Sequence, residues 1–490
     1  MKKFMLSTVC LGLLFASCSN DDGGQTQIQN PNTNLPTVAE FPNQNFMWQA
    51  MNLWYFWQAD VNDLADDRFA TNAEYADYLS ENPEPRTFFF DKLLFTEDRF
   101  TSADDNYQDL VNNLSGVSKS NGLGFGISRF SDNPNNLFCY VWYVLEGSDA
   151  ASKDIGRGEI FTRVNNQQLN VDNYIQLLFT GDDTYTLGMA NIVNGSIVDS
   201  SKEVTLSKVE GFQQNPILIA ETLDIGGTKI AYLMYNRFLS SFDQQLNEAF
   251  GKFIADGATE LVLDMRYNPG GSVNTSRLLS SMVHSTDTDK LYLRQRWNSK
   301  IQQQLSQAQL EDYFADNFEG TPINSMGLDK VYVIATGDSA SASELVINGL
   351  TPYVNVVHIG ETTRGKNEFS ITLVDDPGNS FIYSASRENQ INPEVSWGLQ
   401  PLVGRNENAD GFFDYTAGLP PTILLEEDLT NLGILGNVDE PLLARAIQEI
   451  TGTTTRRNLT VQIPVANFSS SDAVNEKIFT THLDKSIFLK

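Results

Sequence analysis

Strand-like and helix-like segments alternate through the second half of the chain, and this alternation restricts the fold more than any other feature of the sequence. Short apolar runs at residues 260–265, 330–336 and 354–359 have the length and composition of buried strands. Segments with helical spacing of apolar residues separate them, at residues 272–283 and 341–350. Strands that alternate with helices form a mainly parallel sheet with helices on both faces. The sequence therefore predicts an α/β core.

The remaining regions differ in composition. A chain of 490 residues is too long for one hydrophobic core. Residues 43–114 begin with an aromatic segment that is apolar on nearly every side, which predicts a buried helix. Residues 115–210 change to short alternating strands, and residues 284–328 have the polar, glutamine-rich composition of an insertion. We therefore predict a multidomain α/β protein, with a helical N-terminal domain, a β-rich domain, a core at 211–455 and a C-terminal tail at 456–490.

The N-terminus has the features of an export signal. Lys2 and Lys3 precede an apolar run that is too short for a stable transmembrane helix. Small residues then precede Cys18, in a pattern similar to the lipobox of bacterial lipoproteins, so residues 1–17 are expected to be removed and Cys18 to carry lipid. Residues 18–42 are polar and form a flexible tether. These features predict an exported protein, anchored to a bacterial envelope membrane by lipid alone and either periplasmic or exposed on the surface.

Charge and cysteine content exclude several classes of function. The chain has 33 basic and 62 acidic residues, a net charge of −29, which argues against nucleic-acid binding because phosphate recognition needs a basic surface. It also argues against electrostatic docking on anionic lipid. If Cys10 is removed with the signal and Cys18 is lipidated, only Cys139 remains, and we expect it to be buried. An intrachain disulfide and a cysteine metal site are then excluded, and we expect neither a metal nor a cofactor.

A glycine-rich loop opens a strand near the start of the β-rich domain. It consists of Gly122, Leu123, Gly124 and Phe125. Successive backbone N–H groups in such a loop can hold a terminal carboxylate, and the adjoining strand edge can accept a peptide as an added strand. A short helix start at residues 145–151 and a second glycine segment at 156–160 follow. The order of these three segments resembles a PDZ domain; an ordinary β-domain with glycine turns is the alternative.

Two strand–loop–helix units contain the polar residues that could carry out chemistry. They lie at residues 264–271 and 337–344. Ser341 is expected at a helix N-terminus, where unsatisfied N–H groups can stabilise the oxyanion of an acyl-transfer intermediate. Ser341 and Glu344 also fit a capping box. The serine pattern alone leaves both catalysis and helix capping open.

A histidine base for this serine has little support in the sequence. His284, His358 and His482 are the only histidines, and all three lie outside the motifs. A lysine can act as the base if its ammonium group is removed from water. Lys366 follows a predicted buried strand by one short loop. Most lysines are solvated surface charges, and spacing alone favours that role for Lys366.

Taken in order, the motifs resemble one known family. D-x-R-x-N-P-G-G, S-A-S-A-S-E and G-E-x-x-x-G-K follow the PDZ-like segments, and this set is similar to that of the carboxyl-terminal processing (tail-specific) serine peptidases. The resemblance covers residues 115–451. It implies a crotonase-like α/β protease core with a PDZ-like domain and a helical N-terminal domain. It also implies a serine–lysine dyad that cleaves proteins, which are often selected through their C-termini.

The resemblance assigns roles to individual residues. It makes Ser341 the nucleophile and Lys366 the base. It implies that the polar residues beside the dyad are Asp264, Arg266 and Glu344. The groups expected to form the oxyanion hole are the N–H of Ala342 and a glycine of the pair Gly270 and Gly271. Many members carry a glutamine four residues after the lysine, which orients it; this chain has Ser370 there, and the departure puts catalytic efficiency in question.

The sequence thus predicts a serine-type endopeptidase that acts on envelope or extracellular proteins. Its partners would be protein or peptide substrates, selected through C-terminal segments by the PDZ-like domain, and a homo-oligomer is compatible with the sequence. The alternative of a different class is a peptide-binding scaffold that has weak or no activity. A third hypothesis is an α/β hydrolase that acts on esters or amides other than peptides.

Overall fold

The structure is a computed structural model that describes residues 28–32, 35–453, 461–465 and 467–475. The predicted signal, Cys18, His482 and most of the tail at 456–490 lie outside the described residues. The α-helices are, in chain order, α1 (Pro42–Trp54), α2 (Asn72–Ser80), α3 (Pro85–Lys92), α4 (Tyr107–Leu114), α5 (Asp243–Asp256), α6 (Val273–Val283), α7 (Ser299–Gln302), α8 (Gln307–Leu310), α9 (Ala342–Leu350), α10 (Pro441–Thr451) and α11 (Ser471–Asn475).

The strands form several sheets. In chain order they are β1 (Ser102–Asp104), β2 (Val117–Ser120), β3 (Leu123–Arg129), β4 (Leu137–Val144), β5 (Ile160–Val164), β6 (Gln167–Gln168), β7 (Thr184–Val193), β8 (Ser196–Ser207), β9 (Val209–Gln213), β10 (Ile217–Ile225), β11 (Thr228–Tyr235), β12 (Glu260–Asp264), β13 (Leu291–Trp297), β14 (Glu311–Tyr313), β15 (Asn317–Phe318), β16 (Thr321–Pro322), β17 (Lys330–Ala335), β18 (Asn355–Gly360), β19 (Glu368–Ser370), β20 (Gly398–Gln400), β21 (Leu402–Glu407), β22 (Ile423–Leu424) and β23 (Asn467–Ser470).

The central sheet has six strands in the order β10-β11-β12-β17-β18-β22. Its pairs are parallel except for β10, which runs antiparallel to β11. Alternate residues point to opposite faces: Leu261 and Leu263 pack in the core formed with α5, α6 and α9, while Val262 packs in the core formed with α10. The predicted mainly parallel sheet, covered on both faces, is confirmed.

A second sheet has four antiparallel strands in the order β14-β13-β21-β19. The interpretation of residues 284–328 as a polar insertion was wrong, because this region provides β13. Leu293 and Trp297 of that strand are buried in the main core. On the other face, Arg294 and Arg296 form ion pairs with Glu407. Most glutamines of this region lie in and around α7 and α8, which follow the strand.

The N-terminal helices pack into the same core as the central sheet. Trp48 and Trp54 of α1 are fully buried, as the sequence predicted for this aromatic segment. The Trp54 Nε1–H donates to Ser380 O at 2.7 Å. Asn298, the residue after β13, donates through Nδ2 to Leu53 O and Tyr55 O. The helical region therefore shares its hydrophobic core with the two sheets.

Residues 117–213, here called the β-rich region, contain most of a seven-stranded sheet. Its order is β23-β3-β4-β5-β7-β8, with β6 paired to β5. Cys139 of β4 is fully buried in the core of this region, as expected, and burial raises the pKa of its thiol well above the ordinary value. The edge strand β23 comes from the C-terminal end of the described chain. No helix in the described ranges is both long and apolar enough to cross a membrane.

A glycine ends the strand that leads to the predicted base. Gly360, the last residue of β18, has a φ of 129°, and a Cβ at this position would lie 2.0 Å from Ala335 O of the neighbouring strand. We predict that Gly360→Ala lowers the free energy of unfolding by about 3 kcal/mol, because both the backbone conformation and the close approach exclude a side chain. Urea unfolding followed by tryptophan fluorescence measures this change.

Gly195→Ala is the matched control. Gly195 also has a positive φ, 79°, but no atom lies within 4 Å of a Cβ built there. Its substitution should cost only about 1 kcal/mol. Equal losses in the two variants would contradict the assigned contact between β17 and β18.

Candidate active site

Ser341 lies at the turn between β17 and α9, at the N-cap position of the helix. Its backbone has φ 60° and ψ −113°, a conformation that costs a residue with a side chain about 1–3 kcal/mol. The side chain is buried, with 3% of the residue exposed. In the described part of the chain, the Ser341 Oγ has no partner that meets hydrogen-bond geometry. A strained serine with an unengaged hydroxyl is unlike an ordinary helix cap, whose oxygen is satisfied.

Glu344 joins the serine segment to the lysine segment. Its Oε2 accepts hydrogen bonds from the backbone N–H groups of Ser341 and Lys366, both at 2.8 Å. Its Oε1 accepts from Gly365 N at 2.7 Å and from Thr363 Oγ1 at 2.5 Å. Only the carboxylate half of the predicted capping box is formed, because Glu344 accepts from Ser341 N while the Ser341 hydroxyl has no partner in the described chain. Burial raises the pKa of Glu344, and these four hydrogen bonds act in the opposite direction.

Lys366 lies in the loop between β18 and β19 and is 3% exposed. Its ammonium nitrogen is 5.1 Å from the centre of the Phe100 ring. The adjacent Arg99 donates to Gly365 O at 2.5 Å and to Thr416 O at 3.2 Å. The N-terminal helical region thus covers the lysine segment. Arg99 and Phe100 could not be predicted from the sequence, because they lie in no recognisable motif and are more than 260 residues from Lys366 along the chain.

Gly270 lies directly against the serine turn, whereas Gly271 lies against the backbone of Phe238. A Cβ at Gly270 would be 2.7 Å from Ser341 Cβ and 3.0 Å from Ala342 N, so only glycine allows this approach. The Gly270 N–H donates to Asn268 Oδ1 at 2.9 Å. Ala342 is the first residue of α9, and its N–H is one of the first-turn groups that have no partner within the helix. The structure therefore brings Gly270 and Ala342 together at the serine turn, while the neighbours of Gly271 are atoms of Phe238.

The loop that carries these glycines is hydrogen-bonded to the serine loop. Asn268 O accepts from Ala340 N at 3.1 Å and from Ser343 Oγ at 2.9 Å. Ser339 Oγ donates to Met265 O at 2.8 Å. The small residues of the S-A-S-A-S-E motif are buried at this contact. Their hydroxyl groups hold the two loops in register.

Asp264 and Arg266 form a buried ion-pair cluster beneath the glycine loop. Arg266 is fully buried and contacts Asp264 at 2.7 Å, Glu440 at 2.6 Å and Glu427 at 3.0 Å. Burial lowers the pKa of the Arg266 guanidinium, but the three carboxylates outweigh it and raise that pKa. Tyr232 donates to Asp264 at 2.8 Å. The sequence did not predict Glu427 and Glu440, because each lies in a later segment that has no recognisable motif. Of the three predicted polar residues, Glu344 is the one that bonds both the Ser341 segment and the Lys366 segment.

Ser370 is fully buried at the end of β19. Gln400 of β20 donates through Nε2 to Ser370 Oγ at 3.0 Å, and its Oε1 accepts from Thr372 Oγ1 at 2.7 Å. A buried glutamine amide is thus present next to Ser370, although it comes from another strand. Gln400 could not be predicted from the sequence, because it lies 30 residues after Ser370 and this separation carries no periodic signal.

The predicted peptide-binding loop lies at the start of β3, in the β-rich region. It comprises Gly122, Leu123, Gly124 and Phe125. Leu123 and Phe125 are buried in the core of this region. The Phe125 N–H donates to Ser471 Oγ at 3.1 Å, a contact with the C-terminal end of the described chain.

The two described histidines have packing roles. His358 is 3% exposed, its Nε2 is 3.2 Å from Ala335 O, and burial lowers its pKa. His284 stacks on Tyr353 and has its Nδ1 3.0 Å from Leu328 O. Neither environment is that of a base beside Ser341. In the ranges that the structure covers, no cluster of His, Cys, Asp and Glu has the arrangement of a metal site.

Glu344→Gln tests the junction between the two segments. The substitution places an NH2 group where N–H groups now donate, so we predict a loss of about 3 kcal/mol in the free energy of unfolding. Thr363→Val is the control: it removes one donor of the four, together with the acceptor of Leu419 N, and should cost less, about 2 kcal/mol. Urea unfolding of both variants measures the difference. A stability of Glu344→Gln equal to that of the unsubstituted chain would contradict the assigned hydrogen bonds.

Comparison with known proteins identifies relatives of this arrangement. Residues 229–391, which include Ser341 and Lys366, match the family model for Peptidase family S41. Carboxyl-terminal-processing peptidase 3, a chloroplast protein of Arabidopsis thaliana, is 26% identical over 280 residues, which cover 54% of this chain and 50% of the relative. A Staphylococcus aureus protein named as a CtpA-like serine protease is 20% identical over 289 residues, 58% of this chain and 49% of the relative. The chain therefore matches about half the length of these two relatives.

A solved structure extends the similarity of the fold. A Bacteroides fragilis protein assigned to the S41 proteases is 26% identical, with a TM-score of 0.63, and the match covers 84% of this chain and 97% of the solved chain. The shared mixed α/β, multidomain fold therefore reaches beyond the residues of the family model. The resemblance indicated by the ordered motifs is confirmed for this domain. The chain contains a domain of peptidase family S41, at residues 229–391.

Proposed function

We propose that this chain is a serine-type endopeptidase of the carboxyl-terminal processing type, with Ser341 as nucleophile and Lys366 as general base. The observation that carries the proposal is the Glu344 carboxylate, whose Oε2 accepts from both Ser341 N and Lys366 N at 2.8 Å. The two backbone nitrogens therefore lie no further apart than twice this distance. Both side chains are buried, and the Ser341 Oγ has no hydrogen-bond partner in the described chain.

The proposed reaction has two stages. Neutral Lys366 removes the proton of Ser341 Oγ while this oxygen bonds to the carbonyl carbon of the substrate. The Lys366 ammonium then donates that proton to the leaving nitrogen, the peptide C–N bond breaks, and an acyl-enzyme ester remains. Lys366 next accepts a proton from water, which attacks the ester and releases the second product. Ser341 regains its proton at the end of the cycle.

The N–H groups of Gly271 and Ala342 would stabilise the oxyanion. Ala342 N lies at the positive end of the α9 dipole, where N–H groups can bind developing negative charge. The Gly270 N–H is engaged with Asn268 Oδ1, which favours Gly271 as the second donor. The Asp264–Arg266 cluster supports the glycine loop from beneath and would act by positioning it.

Ser370 and Gln400 together would take the place of the glutamine that orients the lysine in many family members. Gln400 is fully buried and donates to Ser370 Oγ at 3.0 Å, which fixes the direction of that hydroxyl. The Phe100 ring lies 5.1 Å from Lys366 Nζ. It would limit the movement of the lysine side chain and exclude water from its amine.

The β-rich region is proposed to bind segments of protein or peptide substrates, as a PDZ-like domain at residues 115–210. The helical domain would span residues 43–114 and the crotonase-like core residues 211–455. The glycine loop and the edge of β3 support this assignment, because an extended peptide can add to such an edge through main-chain hydrogen bonds. Envelope or extracellular proteins would be the substrates of an exported enzyme of this type.

The serine–lysine assignment is tested by substitution and by labelling. We predict that Ser341→Ala and Lys366→Ala each lower the hydrolysis of an unfolded protein such as casein by on the order of 10⁴-fold. Ser341→Ala should also lose covalent labelling by a serine-directed active-site probe, detected by intact mass spectrometry. Both variants should keep the far-ultraviolet circular dichroism of the unsubstituted chain.

Two variants serve as controls. Ser343→Ala removes a neighbouring buried hydroxyl and should remain labelled at Ser341. Lys300→Ala removes another buried lysine, which pairs with Asp66, and should lower stability while turnover per folded molecule is retained. Labelling that persists in Ser341→Ala would contradict the nucleophile assignment. Peptide binding without labelling or hydrolysis in the unsubstituted chain would instead support a peptide-binding scaffold.

We also propose export and lipid anchoring through Cys18, on the sequence pattern at the N-terminus. Cys18→Ala is predicted to move the protein from the membrane fraction to the soluble fraction of cells that express the full chain, because two or more acyl chains provide stable anchoring. Cell fractionation with immunodetection measures this shift. The control is Cys139→Ala, which replaces a buried thiol and should leave the protein in the membrane fraction. Membrane retention of Cys18→Ala would contradict the anchor.

A further inference from the structure

The C-terminal end of the described chain forms a strand on the edge of the β-rich sheet. β23 runs antiparallel to β3, with Ser470 opposite Gly126 and Ser469 opposite Ile127. β3 is the strand that follows the glycine loop, and β23 takes the position beside it that would otherwise be the sheet edge. Extended peptides bind to sheet edges in this way, through main-chain hydrogen bonds. Residues 467–475, here called the tail segment, therefore occupy the surface where a substrate segment would be added.

Side chains of the tail segment make contacts typical of a bound ligand. The Phe125 N–H of the glycine loop donates to Ser471 Oγ at 3.1 Å, and Tyr143 OH donates to Asp472 Oδ2 at 3.1 Å. Ser470 and Ser471 are buried, with 1% and 5% exposed. Val474 packs against the core of the β-rich region.

An aromatic residue anchors the other end of the tail segment. The Phe468 ring lies 5.9 Å from the Tyr174 ring, and the Arg129 guanidinium lies 4.0 Å from the centre of the Phe468 ring. A cation this close to a ring face is attracted by the quadrupole of the ring. The contacts therefore combine a strand ladder, an aromatic anchor and a hydroxyl at the glycine loop.

The group that approaches the glycine loop is an internal serine. The sequence continues from Ser471 to Lys490, so the contact with Phe125 N is made by a hydroxyl rather than by a terminal carboxylate. Gly126 faces Tyr140, whose ring would be 2.4 Å from a Cβ at that position, so this face of the strand is already filled. The surface thus fits an extended segment with an aromatic residue, small hydroxyl residues and then an acidic residue.

The tail segment also reaches the loop beside the candidate nucleophile. Asp472 lines a cavity of about 20 Å³ together with Tyr143, Asn236, Arg237 and Pro269. Pro269 directly precedes Gly270, which contacts Ser341. The tail segment therefore lies at the junction between the β3 edge and the peptidase core.

We propose that the tail segment is an internal ligand of the β3 edge, which external segments of the same chemistry must displace before they bind. The proposal rests on the peptide-binding role proposed above for the β-rich region, and not on the serine–lysine chemistry. A tethered ligand has an effective concentration in the millimolar range, so it should strongly reduce the apparent affinity of an external peptide. Substrates with a matching segment would then be favoured over unfolded proteins in general.

The test measures the binding of a labelled peptide with the sequence of residues 465–475, acetylated and amidated at its ends, to the full chain carrying Ser341→Ala. Fluorescence anisotropy gives its affinity. Adding Phe468→Ala and Ser471→Ala to the tail should increase this affinity by about tenfold or more, because the internal competitor is weakened. A peptide that carries the same two substitutions should bind this variant at least about tenfold more weakly than the unsubstituted peptide.

Phe412→Ala is the matched control, because Phe412 is a similarly exposed aromatic residue that contacts Tyr415 at 6.3 Å; it should not change the affinity. Equal affinities for the parent and the tail variant would overturn the proposal, as would failure of the peptide to bind the tail variant. Thermal unfolding confirms that the variants remain folded. If affinity rises as expected but no form of the chain hydrolyses protein, the internal ligand stands and only the proposed peptidase chemistry fails.

Discussion

The organisation of the candidate site depends on one buried carboxylate. Glu344 is fully buried, and its two oxygens accept four hydrogen bonds from Ser341, Thr363, Gly365 and Lys366. A buried carboxylate is stable only when such donors replace water. The donors come from two loops that leave neighbouring parallel strands, β17 and β18. The cost of burying the charge therefore makes the two loops interdependent, because neither can move without leaving the carboxylate unsatisfied.

Local sequence patterns predicted much of the fold and the site. The buried strands at residues 260–265 and 330–336 correspond to Glu260–Asp264 and Lys330–Ala335, because short apolar runs and helical spacing are local signals. Gly270, Ser341 and Lys366 lie in short motifs at strand ends, so their convergence follows from a parallel sheet. The wrong interpretation of residues 284–328 arose because the glutamines that dominate its composition lie in and around α7 and α8, which hides the short strand β13.

The parts of the structure that the sequence did not reveal depend on contacts between residues far apart in the chain. Gln400 reaches Ser370 from another strand, and Phe100 reaches Lys366 from the helical region. Glu427 and Glu440 form ion pairs with Arg266, although they lie more than 160 residues after it in the chain. β23 pairs with a strand more than 300 residues before it. Such contacts have no periodicity, and only the three-dimensional packing of the sheets brings them together.

The packing of α1 has a consequence for the order in which the chain can fold. Trp48 and Trp54 emerge early in synthesis, yet Trp54 donates to Ser380 O, more than 300 residues later. The helix also packs against Trp297, with ring centres 5.9 Å apart. Until those residues are made, the tryptophan-rich face stays open to water and to other apolar surfaces, as in other proteins with high contact order. A nascent chain of this kind is expected to need a holding chaperone until its second half is complete.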